Sequence, residues 1–349
     1  MHIERTSRFA ARLLLLAFLA VLLLPAAFAD SCTTEGQMTA TQRDDVSRVA
    51  KLLVGDVQNG DMQGLRNDTL TAVANDFTGI ANSANALKPQ IQQAGITVDA
   101  LFLFDASQAS AQGNQFFCTP NGSTMTIVLN FSGLPPGKYA LAILHATGVP
   151  KPQQISLILS QDQGGQWKLA GFFSKPMMLA DHNGTWYWAH ARQYQQQKQE
   201  WAAYFYYQIA SFLVIPADFL TSPNVDKLRR EASQVHPQNL PTDQPVTVQV
   251  NGVPFQIAKV DFSADLGPLD FVIHYTPSAQ QAAELRNPVQ ARQQVVNLMN
   301  SILTMHPGLR TAFHGLWVFA DANGGGTLFA LELPMNQITP GAPSNSVGE

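Results

Sequence analysis

The chain has 349 residues, of which 46% are hydrophobic and 13% charged, with a formal net charge of −4. That length suits two or three modest domains with real cores, and the balance excludes extensive disorder. No basic stripe is present to neutralise phosphates or anionic lipid, which argues against nucleic-acid binding and polybasic membrane docking.

The first segment opens with Arg5, Arg8 and Arg12 against Glu4. An apolar run, LLLLAFLAVLLL, follows at 13–24; Pro25 breaks it, and Ala27-Phe28-Ala29 supplies a small-x-small cleavage pattern. The run is short for a membrane span of roughly 20 residues. Residues 1–29 are therefore expected to be a cleaved signal peptide, which leaves the remainder at a net charge of −6. No later run reads as an integral membrane segment, so the expected location is secreted or periplasmic. Cys32 and Cys118 are the only cysteines. In an oxidising compartment they are expected to form one disulfide. The alternative is lipidation of Cys32, but Phe28-Ala29-Asp30-Ser31 lacks the Leu-small-small approach that lipoprotein processing uses.

Thr39 or Thr41 can cap a first helix on which Val46, Val49, Ala50, Leu53 and Val57 share a face, and Asn59-Gly60 closes it. Asp61 starts a short turn through Leu65. A second long helix reads from Thr71, with Val73, Phe77, Ile80, Ala84, Leu87 and Ile91 on one stripe and Pro89 kinking or ending it. From Gly95 the period switches to two. Strands are predicted over Ile96–Asp105, Thr124–Phe131, Lys138–Ala146, Gln153–Ser160 and Gln166–Ser174, separated by turn-rich segments. Helices followed by antiparallel strands predict an α+β layer. The stretches LLVGDVQNGDMQGL (52–65) and GGQWKLAGF (164–172), with this element order, resemble the NTF2-like family. The resemblance covers about Thr39 to Lys175 and implies N-terminal helices on a curved antiparallel sheet.

From Thr185 the chain turns helical: Thr185–Lys198, Glu200–Val214, and Pro223–Val235 capped by Ser222. Ten aromatic residues fall between Trp186 and Phe212. The second helix is apolar nearly all round, which predicts a helix sandwiched between neighbours. Tyr187, Ala191, Tyr194, Ala203, Tyr207 and Ala210 resemble one tetratricopeptide (TPR) repeat, with Tyr187 in place of the usual Trp, Ala191 in place of the usual Gly, and Pro216 one residue late. A lone repeat cannot bury both faces, so it must lean on its flanks. Asn239–Gln244 reads as a linker. Beyond it, Val246–Val260 is a hairpin turning at Asn251-Gly252, and Leu269–Tyr275 is a strand. A helix follows Asn287-Pro288, and Phe313–Ala320 pairs with Thr327–Leu333. The expected division is a signal peptide at 1–29, an NTF2-like α+β domain at 30–176, a TPR-like helical segment at 177–240, a small C-terminal α+β domain at 241–336, and a Pro/Gly/Ser-rich tail at 337–349.

Catalytic signatures are sparse. No HExxH, GxSxG, P-loop or Rossmann glycine pattern is present, and two lone cysteines exclude a zinc–cysteine site. His145 shares a strand face with Tyr139, Leu141 and Ile143; the NTF2-like resemblance implies an acid–base role for it if that face lines a cavity. Asp181-His182-Asn183-Gly184 is a polar turn that can ligate something or simply cap the next helix. Trp186, Trp188, His182 and His190, at the less sealed start of the first helix, are the candidate ligand-binding residues. His274, His314 and Glu332 form a polar or metal cluster only if their strand faces agree. His306, at a helix end before Pro307-Gly308, suits the dipole as a cation. The reading that follows is a non-enzymatic exported protein, binding or scaffolding, with a protein or cell-envelope partner and with no metal or cofactor. The alternatives are an isomerase, dehydratase or hydrolase using His145, or glycan binding by Trp186 and Trp188.

Overall fold

The computed structural model describes residues 30–107, 113–241 and 243–339. The expected signal peptide at 1–29 and the tail from 340 lie outside them. The architecture is α+β. The first unit begins with β1 (Asp30–Thr34) and four helices: α1 (Ala40–Asn59), α2 (Met62–Asn67), α3 (Thr71–Ala74) and α4 (Thr78–Ile91). Thr39 and Gln42 form a reciprocal capping box at the start of α1, and Gly60 ends it in the left-handed conformation at φ 74°. The single long helix expected from Thr71 is two pieces, interrupted at Asn75–Phe77. Pro89 lies inside α4 rather than at a break.

Six strands follow: β2 (Gly95–Asp105), β3 (Asn114–Cys118), β4 (Ile127–Phe131), β5 (Lys138–Thr147), β6 (Gln153–Gln161) and β7 (Trp167–Pro176). β1 lies parallel to β3 and antiparallel to β2, and the Cys32–Cys118 disulfide joins β1 to β3. One face of β5, with Ala140, Ala142, Leu144 and Ala146, packs under the helices against Leu53, Val57 and Leu87. The other face, with Tyr139, Leu141 and Ile143, belongs to a second core. Small side chains on the helix side let the helices approach, and bulkier ones fill the opposite side.

That second core exists because the sheet curls over itself. The strand order is β10-β4-β3-β1-β2-β5-β6-β7, where β10 (Leu220–Thr221) comes from much later in the chain. Phe219, next to β10, stacks on Phe131 of β4 at 4.7 Å and meets Phe173 of β7 edge-on at 5.4 Å. Opposite ends of the sheet therefore meet at one phenylalanine.

Between the sheets lie a short hairpin, β8 (Met178–Leu179) with β9 (His182–Asn183), and the helices α5 (Gly184–Gln196), α6 (Glu200–Val214) and α7 (Pro223–Ala232). The remaining elements are β11 (Val246–Val250), β12 (Val253–Ser263), β13 (Asp270–Thr276), α8 (Ala279–Glu284), α9 (Pro288–Met305), α10 (Leu309–Ala312), β14 (Gly315–Asp321) and β15 (Thr327–Pro334). These five strands form one sheet in sequence order, antiparallel except for β13 and β14. Asn251 and Gly252 both have positive φ, as the expected hairpin turn requires.

The aromatic helix α6 is central to a third core, that of the second sheet. Trp201, Phe205, Tyr206, Tyr207, Ile209 and Leu213 are buried in one cluster with Phe271, Leu298, Phe313 and Val318. The helix pair α5–α6 and the second sheet thus share a single core. Ile338 is buried in it too, and its carbonyl accepts from Arg310 at 2.9 Å, so packing continues past Gln337. Among the described residues, no helix is long and apolar enough to cross a membrane.

Candidate functional site

A groove of about 710 Å³ runs where the α5–α6 turn, the 238–239 segment, β11 and the end of α9 meet. Val246, Thr247, Val248 and Gln249 all line it. Side chains alternate faces along a strand, so four consecutive lining residues mean that the groove follows the edge of β11 and not a face. β11 is the terminal strand of its sheet, and among the described residues its backbone bonds only to β12. The edge carries neither proline nor charge, the usual devices that blunt an open edge.

The walls are rich in amides: Gln197, Gln199, Gln238, Asn239 and Gln249. The Gln199 side-chain carbonyl is buried without a hydrogen-bond donor. Lys198 and Asn239 both hold a left-handed backbone at φ 59° on the groove wall, a conformation that lysine in particular adopts at some cost. Trp201 and His306 stack at 4.1 Å, and the Trp201 indole N–H donates to the Gln238 carbonyl at 3.2 Å. Burial pushes the His306 pKa down to about 4. The ring is therefore neutral at physiological pH, and the cation expected for the helix dipole is absent. Desolvation outweighs the dipole here. The arrangement is uncharged along most of its length, offers donors and acceptors in pairs, and has one acceptor unfilled.

The candidate ligand-binding and acid–base residues named from sequence fall in other places. His182, Trp186 and His190 come together as a sandwich, with the imidazoles 3.6 Å and 3.7 Å from the indole on its two sides. His190 Nδ1 is 2.9 Å from the Trp186 carbonyl, and Asn183 caps the helix by accepting from the Trp186 N–H at 2.9 Å. Trp188 is separate. Its indole N–H donates to Glu231 at 2.6 Å, Arg192 forks onto the same carboxylate at 2.7 and 3.0 Å, and the guanidinium lies 4.4 Å over the Trp188 ring. Burial alone would raise the Glu231 carboxyl, but the hydrogen bonds from Arg192 and Trp188 outweigh it and hold the group below its ordinary range. His145 sits on the face of β5 turned away from the helices, 3.7 Å from Asp99.

The outer face of the second sheet, opposite α9, carries a further constellation. His274 pairs with Asp321 at 2.6 Å and stacks on Phe319 at 4.8 Å; Phe319 stacks on Trp317 at 5.6 Å. His314 and Glu332 do meet, but with Asp270 rather than His274. Asp270 is only 4% exposed; it faces His314 Nδ1 at 3.3 Å and accepts from the Trp317 indole at 3.2 Å.

No protein-family profile, curated protein or solved structure matches the chain. Sequence reasoning missed the groove residues Gln199, Gln238 and Gln249, and also Asp270. The available signal was the hairpin at Val246–Val260: its first strand follows a linker, the usual setting for a sheet edge.

Proposed function

We propose that this is an exported, non-enzymatic binding protein that takes an extended polypeptide segment along β11. The single observation carrying this reading is the open, uncharged edge of β11 running the length of an amide-walled groove. An extended peptide laid there pairs its backbone with the free edge, which gives affinity with little regard to sequence; pockets for alternate side chains supply selectivity. The amide walls suit a peptide's own amides. On this reading the NTF2-like sheet and the TPR-like helices are the scaffold that holds the groove, and the partner is a protein of the envelope or the exterior.

The test is selection of a displayed random dodecapeptide library on the full chain. Extended sequences with alternating apolar residues should be enriched. Their binding should fall at least tenfold in a Thr247→Lys/Gln249→Lys double variant, because lysines on an edge obstruct strand addition. Both positions are exposed, so the variant should fold. Failure to enrich any peptide, or equal binding to the double variant, would refute the proposal.

A further inference from the structure

The cluster on the outer face of the second sheet lies outside the groove and does not depend on the peptide-binding reading. Three segments bring it together through register. Asp270 opens β13 opposite Gly315 in the parallel pair; Gly315 faces Pro334 and Trp317 faces Glu332 in the next, antiparallel pair. His314 immediately precedes β14. One donor atom each from Asp270, His314 and Glu332 lies within 4.8 Å of the other two.

Gly315 is what lets the carboxylates converge. A Cβ there would stand 2.7 Å from Asp270 Oδ1 and 3.0 Å from Glu332 Oε1, so any side chain would intrude between them. Two carboxylates directed at one point, one of them almost wholly buried, repel unless a positive charge sits between them. Among the described residues no lysine or arginine pairs with either; the single basic partner is His314. The other Asp270 oxygen is occupied by the Trp317 indole N–H, which fixes the carboxylate's orientation and leaves Oδ1 toward the cluster. Such an outer hydrogen bond is how proteins aim a metal-ligating group.

We infer that Asp270, His314 and Glu332 form a site for a divalent first-row metal ion. Two carboxylate oxygens and one imidazole nitrogen are a hard-to-borderline donor set that suits zinc or manganese and gives no advantage to copper(I). Tetrahedral donors at about 2.1 Å from an ion stand roughly 3.4 Å apart, so the three donors, now within 4.8 Å of one another, draw closer on binding, the exposed His314 side chain having the most room to move. His314 is half exposed, and water can take the remaining coordination positions. The neighbouring His274 is committed to Asp321, whose second oxygen accepts from Thr327 at 2.8 Å; it stays outside the site.

Equilibrium dialysis of the chelator-stripped full chain against zinc chloride tests this. The expected result is one zinc per chain, with affinity lowered roughly tenfold or more in His314→Ala, Glu332→Gln and Gly315→Ala, and unchanged in His274→Ala. His314→Ala is the deciding variant, because its side chain is exposed and its loss leaves the fold intact. Absence of bound zinc, or zinc binding that His314→Ala and Glu332→Gln leave unaltered, would overturn the inference.

Discussion

His306 illustrates how one side chain sets the chemistry of its surroundings. Stacked on Trp201 and desolvated, it stays neutral down to about pH 4. An unfolded chain protonates the same ring near pH 6.5. Between those values the unfolded state binds a proton that the native state refuses, so native stability falls as pH drops from about 6.5 toward 4 and is untouched above that window. The full effect is up to about 3 kcal/mol. Urea denaturation at pH 7, 5.5 and 4.5 should give a shallower decline for His306→Phe, which keeps an aromatic ring against Trp201 without the titrating nitrogen. Parallel declines in the two proteins would contradict this account.

The α5–α6 pair rests on close approach. Gly184, at the first position of α5, lies against the end of α6; a Cβ would meet Val214 Cγ2 at 2.6 Å, Leu213 Cβ at 3.0 Å and the Val214 backbone nitrogen at 3.1 Å. A clash with the backbone of a packed helix is not relieved by rotating a side chain. Gly184→Ala should therefore destabilise the protein by roughly 1–3 kcal/mol, even though alanine is ordinarily the better helix former. A thermal melt reads this directly, and an unchanged or raised midpoint would show that the helices can part. Two buried tyrosines tie the pair to its surroundings: the Tyr206 hydroxyl donates to the Ala312 carbonyl at 2.6 Å, and Tyr187 donates to the Leu179 carbonyl at 2.9 Å. Burial raises the Tyr187 hydroxyl to about 12, with Asp181 adding to the shift, so it remains a donor at any ordinary pH.

Across the molecule, two ties join distant parts of the chain. β10 leaves the helical segment to complete the first sheet, and the disulfide spans 86 residues that include all four N-terminal helices and β2. Cross-linking a loop of that length restricts the unfolded chain by about 4–5 kcal/mol on the chain-entropy account. Replacing Cys32 and Cys118 together by serine should lower unfolding free energy by a comparable amount in denaturant titrations, with little change in native circular dichroism. A loss below about 1 kcal/mol would mean that the denatured chain already holds these segments close.

Features set by neighbours in the sequence were legible without a structure. The Thr39 cap, the Asn251-Gly252 turn, the all-round apolar character of α6 and the α+β succession each rest on spacing over a few residues. Other features depend on which distant strands lie side by side, and periodicity carries no record of that. β1 escaped notice as a strand because its partners, β2 and β3, lie far away in the chain; β3 was missed although it pairs with the neighbouring β4. His182, Trp186 and His190 were visible as candidates, but their mutual stacking required the α5 turn geometry. His314 and Glu332 were visible too, whereas Asp270 joins them through the parallel β13–β14 register, which local sequence does not encode. The groove is the extreme case: its walls come from well-separated segments, and the edge of β11 is free because, among the described residues, no later strand returns to cover it.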